Sequence, residues 1–147
     1  MKATKAFSCF LMVIIALGFQ QCNAQQAENW TKDQLIAPAA LARILDSNKV
    51  LPLLYCIGPG AVIPHSIDIG MSSSKNNLNK LRDSLKDVFR STDIVIYCGC
   101  CPFDHCPNVR PAIALLKEMN FTNFHLLDLP HNIKTDWIDK GYPQVKK

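Results

Sequence analysis

The chain has 147 residues, 48% of them hydrophobic and 19% charged, with 16 basic side chains against 12 acidic ones and seven cysteines. It is too apolar and too weakly charged for a disordered tail, and its length admits one ordinary domain. The formal charge of +4 points to an anionic partner only if the basic residues belong to the folded part.

At the N-terminus, Lys2 and Lys5 precede an apolar run from Ala6 to Phe19, and Cys22-Asn23-Ala24 offers small residues where a signal peptidase cuts. The run is shorter than the ~20 residues a transmembrane helix needs, and no second apolar span follows. Residues 1–24 are therefore expected to be a cleaved export signal, which makes the mature protein periplasmic or secreted without stable membrane insertion. Lipidation of Cys22 is the alternative, although Gln20-Gln21 before it match a lipoprotein cleavage site poorly. The mature chain is then residues 25–147. Loss of Lys2 and Lys5 leaves 14 basic against 12 acidic side chains, a net +2, and these are dispersed. No nucleic-acid or polyanion partner is expected.

Residues 25–37 read as an extended leader whose Trp30 and Leu35 cover one edge of the core. Pro38 suits the first turn of a helix, with Leu41, Ile44 and Leu45 at helical spacing until Asn48. Val50 to Ile57, stopped by Gly58-Pro59-Gly60, fits a buried strand of a parallel sheet, and His65 to Ile69 is a second short strand. Leu78, Leu81, Leu85 and Val88 form one helical stripe. Ile94 to Tyr97 is the clearest strand, followed at once by a cysteine-rich loop. Asn108 is expected as N-cap of the next helix, with Pro111 at the third helical position and Ala112, Leu115, Leu116 and Met119 facing inward. Phe124 to Leu129 is the last strand. This order predicts a small α/β domain with a mostly parallel sheet flanked by helices, its core about residues 35–143.

Cys9 and Cys22 leave with the signal, so five cysteines remain: Cys56, Cys98, Cys100, Cys101 and Cys106. Exported domains ordinarily pair their cysteines, yet an odd number leaves at least one thiol free, modified or bridged to another molecule. Four of them lie within Cys98-Gly-Cys-Cys-Pro-Phe-Asp-His-Cys106, too close together to staple distant parts of a fold. Open α/β sheets handle ligands at the carboxyl ends of their strands, and Cys98 occupies that position. A thiol that faces free backbone N–H groups at a helix start is acidified, and the thiolate is the reactive form. Arg110, in the first helical turn, is a candidate for holding an anion.

Several segments resemble rhodanese-like domains. Ile63-Pro-His-Ser-Ile67 is similar to their Ile-Pro-Gly-Ala-Ile segment, and Ile94-Val-Ile-Tyr-Cys98 to the strand that ends in their active cysteine. Leu116 through Asn120-Phe121 resembles their Leu-x-x-x-Gly-Phe helix end, and Asp136-Trp137 with Lys140-Gly141-Tyr142-Pro143 resembles their closing Trp…Gly-x-Pro. The resemblance implies a sulfurtransferase: a cysteine thiolate takes sulfur from thiosulfate or a similar donor, holds it as a persulfide cradled by loop amides, and passes it to a nucleophilic acceptor. Cys98, Cys101 and Cys106 are the candidate catalytic residues, with Gly99, Asn108 and Arg110 binding substrate. The implied partners are a small sulfur-containing anion or a protein thiol, with no organic cofactor.

The chain departs from that pattern in two places. Nine residues, Gly99 to Pro107, separate Cys98 from Asn108 and carry three further cysteines, giving a Cys-Gly-Cys-Cys-Pro…Cys-Pro-Asn-x-Arg-Pro-Ala signature. Tyr55-Cys56-Ile57 stands where the family has an acidic residue and an arginine. Three rivals follow. Cys98-x-x-Cys101 is the spacing of a thiol-disulfide oxidoreductase, although no helix follows it directly. Cys98, Cys101, His105 and Cys106 have the ligand types of a zinc or copper site, but His105 and Cys106 are adjacent. A binding module without catalysis is the third. A phosphatase is excluded, because the residue six positions after Cys98 is Asp104 rather than arginine. Cys56 is expected to be inert in its strand, with a disulfide to the loop as the option.

Overall fold

The computed structural model describes residues 27–47 and 49–146. The expected export signal, and Asn48 at the expected end of the first helix, lie outside these residues.

The apolar runs form a parallel sheet of five strands: β1 (Leu35–Ile36), β2 (Leu53–Cys56), β3 (Ser66–Asp68), β4 (Ile94–Tyr97) and β5 (Phe124–Leu127), in the order β1-β5-β4-β2-β3. Every pairing is parallel, as the α/β reading predicted. β4 is central and all four of its residues are buried, the condition of a strand covered on both faces. Helices α2 (Lys75–Leu85) and α3 (Val109–Glu118) cover one face, and α1 (Pro38–Leu45) with a π-helical turn at Lys134–Ile138 covers the other.

Side chains alternate between faces along a strand, and this decides where each cysteine goes. Tyr55, Ile94, Ile96 and Cys98 belong to the layer under α2 and α3. Leu54, Cys56, Val95 and Tyr97 belong to the opposite layer, with Leu41 and Trp137. Cys56 is thus in a different layer from Cys98, with its thiol directed at the Gly60 carbonyl 3.3 Å away, which argues against the disulfide to the loop. All five cysteines among the described residues are thiols.

Several elements differ from expectation. The leader is not extended throughout: a 3-10 turn at Lys32–Gln34 precedes β1, which pairs with β5 through Leu35 and Leu126. Val50 is 96% exposed. The β2 ladder begins only after Pro52, whose ring nitrogen has no hydrogen to give it, with Leu53 N–H donating to the Asp93 carbonyl at 2.9 Å. β5 ends at Leu127, and α2 ends before Val88, which still packs against the core. Asp136 caps the turn that follows β5: its carboxylate accepts the backbone N–H groups of His131 and Asn132 at 2.7 and 3.0 Å. Trp137 is fully buried and donates to the Pro143 carbonyl at 2.8 Å. No helix among the described residues is long and apolar enough to cross a membrane.

Candidate functional site

Cys98 is the first residue past β4, at the carboxyl edge of the middle of the sheet. The β2–β3 connection runs directly against it. A Cβ added to Gly58 would lie 2.6 Å from the Cys98 sulfur, so only glycine lets this backbone approach so closely. The residues read as a strand stop therefore also form a wall of the site. Tyr97 secures the same connection from the other layer, its hydroxyl accepting the Val62 and Ile63 N–H groups at 3.2 and 3.3 Å and donating to Ser66 Oγ at 3.1 Å.

The loop then turns at Gly99, which packs on Ile133. Its carbonyl accepts the Ile133 N–H at 3.0 Å, and a Cβ there would meet that side chain at 2.7 Å. The backbone N–H directed at the Cys98 sulfur is that of Cys100, the residue after Gly99. Farther on, Phe103 N–H donates to the Leu129 carbonyl at 3.1 Å and its ring packs on Trp30, centroids 5.8 Å apart. The long insert is thereby fixed between β5 and the leader.

Asn108 holds the expected N-cap position of α3, yet its side chain makes no capping bond. Its amide nitrogen donates to the Cys98 sulfur at 3.3 Å, and its amide oxygen accepts Ser73 N–H at 3.0 Å. Its carbonyl accepts Ser72 Oγ. The residue ties the start of α3 to the connection before α2 and aims a donor at the sulfur.

The sulfurs converge. Cys98 and Cys100 are 3.4 Å apart, Cys100 and Cys101 3.2 Å, and Cys100 and Cys106 4.0 Å. Cys98 and Cys106 are buried, Cys101 is half-buried and Cys100 is exposed. A thiol hydrogen bond from Cys106 is the strongest influence on Cys98 and outweighs its burial; with the Cys100 N–H, the Asn108 amide and the Cys100 thiol, it holds the Cys98 pKa down at about 5. Cys106 moves the opposite way, because it donates to Cys98 and is itself buried. Cys100, although exposed as a residue, is pushed up to about 12, first by desolvation of its sulfur and then by its sulfur neighbours. The neighbours thus favour the thiolate at Cys98 and the thiol at Cys100 and Cys106.

Cys100 was absent from the expected catalytic set, although it touches each of the other three sulfurs. The signal available was its Cys-x-Cys spacing to Cys98, overshadowed by the longer Cys98-x-x-Cys101 pattern. The metal set also changes: Cys98, Cys100 and Cys106 place their sulfurs within 4.8 Å of one another, a donor set suited to a thiophilic cation. His105 instead is exposed with its ring 2.8 Å from Asp104. Arg110 stacks its guanidinium over Trp30, 5.2 Å from the ring centroid, and its Nε donates to the Ala27 carbonyl at 3.4 Å.

One strand away on the same edge, a cavity of about 260 Å³ is lined by Pro38, Asp128, Asp136, Lys140 and Tyr142 among others. Burial, with Asp136 and Asp104 nearby, raises the Asp128 pKa. Two carboxylates make this cavity better suited to a neutral or cationic group than to an anionic donor.

No family model and no curated protein matches the chain. Among solved structures, the complex of a cysteine-to-serine variant of EanB with hercynine is similar, with a TM-score of 0.53 and 18% identity over 77% of this chain. The chain spans 27% of that structure's length. At this identity the likeness lies in the fold, the same small parallel α/β architecture that carries the cysteine loop here.

Proposed function

We propose that the protein is an exported rhodanese-like sulfurtransferase in which Cys98 takes a sulfane sulfur from thiosulfate or a related anion and passes it to a thiophilic acceptor. The observation that carries this reading is the placement of the Cys98 sulfur at the end of the central strand, with the Asn108 amide and the Cys100 thiol directed at it and Cys106 beside it, an arrangement that favours the thiolate. Backbone conformation supports the resemblance. His65 and Asn120 stand where the family has glycine, and both adopt positive φ, 65° and 61°; Gly141 of the closing motif has φ 71°. Those are left-handed conformations that favour glycine and that asparagine and histidine tolerate best among other residues.

In the reaction, the Cys98 thiolate attacks the outer sulfur of thiosulfate. The sulfur–sulfur bond of the donor breaks, sulfite leaves with the electron pair, and Cys98 becomes a persulfide anion. The donors that hold the thiolate are in place to hold the persulfide. An acceptor nucleophile then attacks the outer sulfur, and Cys98 leaves as thiolate. The acidity of its thiol makes it a good leaving group. Because Cys98 is 1% exposed while Cys100 lies against it and is exposed, the donor reaches it by displacing the Cys100 side chain. No organic cofactor enters this scheme. Arg110 is the candidate for steering an anionic donor toward the α3 end of the loop.

Sulfite release tests the reading, since sulfite appears whatever then happens to the sulfur. The reduced protein, given thiosulfate under nitrogen, should release about one sulfite per chain, as nucleophilic displacement requires. Cys98→Ser should release none. Release that persists in Cys98→Ser would remove Cys98 as nucleophile, and no release from the native protein would leave the binding-module reading.

A further inference from the structure

The geometry points to a second step, which rests on the sulfur-transfer reading above: Cys100 resolves the Cys98 persulfide within the chain, closing a Cys98–Cys100 disulfide and releasing hydrogen sulfide. The protein would then reduce sulfane sulfur as well as carry it.

Several observations select Cys100. Its sulfur is 3.4 Å from that of Cys98, nearer than its 4.0 Å to Cys106. It sits in a bend outside any helix or strand, with its side chain exposed, so it can swing without breaking a ladder. Cys106 is pinned instead: its N–H donates to the Phe103 carbonyl and its carbonyl accepts Val109 N–H, each at 3.3 Å. Cys101 makes its sulfur contact with Cys100, at 3.2 Å. Gly99 is the single residue between the two partners, and its tight packing on Ile133 fixes the turn that brings them together.

The step balances. The Cys100 sulfur attacks the inner sulfur of the persulfide, the Cys98 Sγ, and the bond from that Sγ to the outer sulfur breaks. The outer sulfur leaves with the electron pair and takes the proton given up by Cys100, departing as hydrogen sulfide. The sulfane sulfur gains two electrons, and the two cysteine sulfurs each give one as they join. A further cycle needs an external dithiol reductant. It would attack the exposed Cys100 sulfur and expel Cys98, whose acidic thiol makes it the better leaving group.

The test follows both sulfur atoms of one equivalent of thiosulfate, given to the reduced protein under nitrogen with no other reductant. The native protein should release one sulfite and one sulfide per chain, and its intact mass should fall by about two hydrogens through disulfide closure. Cys100→Ser keeps the backbone N–H at that position, and its products are read as sulfide per sulfite released. That ratio should fall at least about tenfold, and the variant should keep a mass gain of about one sulfur that cyanide removes. A native protein that releases sulfite and keeps the persulfide without sulfide overturns the resolving step and leaves the sulfur-transfer reading standing. Absence of sulfite overturns both. Sulfide release that survives Cys100→Ser and is lost in Cys101→Ser or Cys106→Ser overturns the assignment to Cys100.

Discussion

Cys56 and Cys98 make a controlled comparison. Each stands at the carboxyl end of one of two adjacent strands, in neighbouring register positions, and each is 1% exposed. Their thiols nevertheless shift in opposite directions. Burial raises Cys56 and outweighs the hydrogen bonds at the Gly58 backbone and Tyr97 that pull the other way, while its own thiol is directed at the Gly60 carbonyl. Cys98 is equally buried, yet the Cys106 thiol, the Cys100 N–H and the Asn108 amide all donate to it and lower it. Burial alone therefore does not determine cysteine reactivity in this protein. What decides it is whether the hydrogen bonds that favour the thiolate outweigh the cost of burial, as they do at Cys98 and do not at Cys56.

The sharpest way to break this comparison is to remove each sulfur in turn. Cys98→Ser should abolish sulfite release from thiosulfate, whereas Cys56→Ser should change its rate by less than about twofold, since no step of the nucleophilic chemistry uses it. Equal losses would mean that the two sites are not distinct. Gly58→Ala should come next in size. Its Cβ would sit 2.6 Å from the Cys98 sulfur, so we expect about 1–3 kcal/mol of lost stability from overpacking, read by denaturant unfolding, together with slower sulfite release.

Asn108→Ala removes one of several donors and should raise the Cys98 pKa by about one unit, which corresponds to about 1.4 kcal/mol between its two protonation states. Asn108→Asp should raise it further by placing an acceptor beside the thiolate. Thermal stability should follow the same thiol. A Cys98 pKa held near 5 in the fold and near 8.5 in the unfolded chain means that the unfolded state binds more protons between those values. Melting temperature should therefore rise with pH over this window and fall as pH drops through about 5, and Cys98→Ser should flatten the slope. The smallest effect concerns metal: chelator treatment should leave sulfite release intact. Its loss would show that the three sulfurs work around an ion.

The order of helices and strands was largely legible because each element is short, locally patterned and bounded. β4 matches its expected span, an apolar run entered through Asp93 and ended by the loop. β1 was not legible: two residues carry no periodicity, and their partner in β5 lies some ninety positions later in the chain. The place of Cys98 at the end of β4 was legible, and the groups around it less so. That Cys100 rather than Cys101 meets Cys98 depends on a turn held by Ile133. That Asn108 faces a sulfur rather than capping its helix depends on Ser72 and Ser73. Both outcomes come from contacts distant in sequence, which local spacing does not encode.

The central claim is that Cys98 is a thiolate at neutral pH. Thiolate absorbance near 240 nm, titrated for the native protein and for Cys98→Ser, reads ionisation without requiring a reagent to reach the buried sulfur. Their difference should titrate with a midpoint at about 5. A midpoint at or above about 8.5, the ordinary value for a cysteine, would contradict the account.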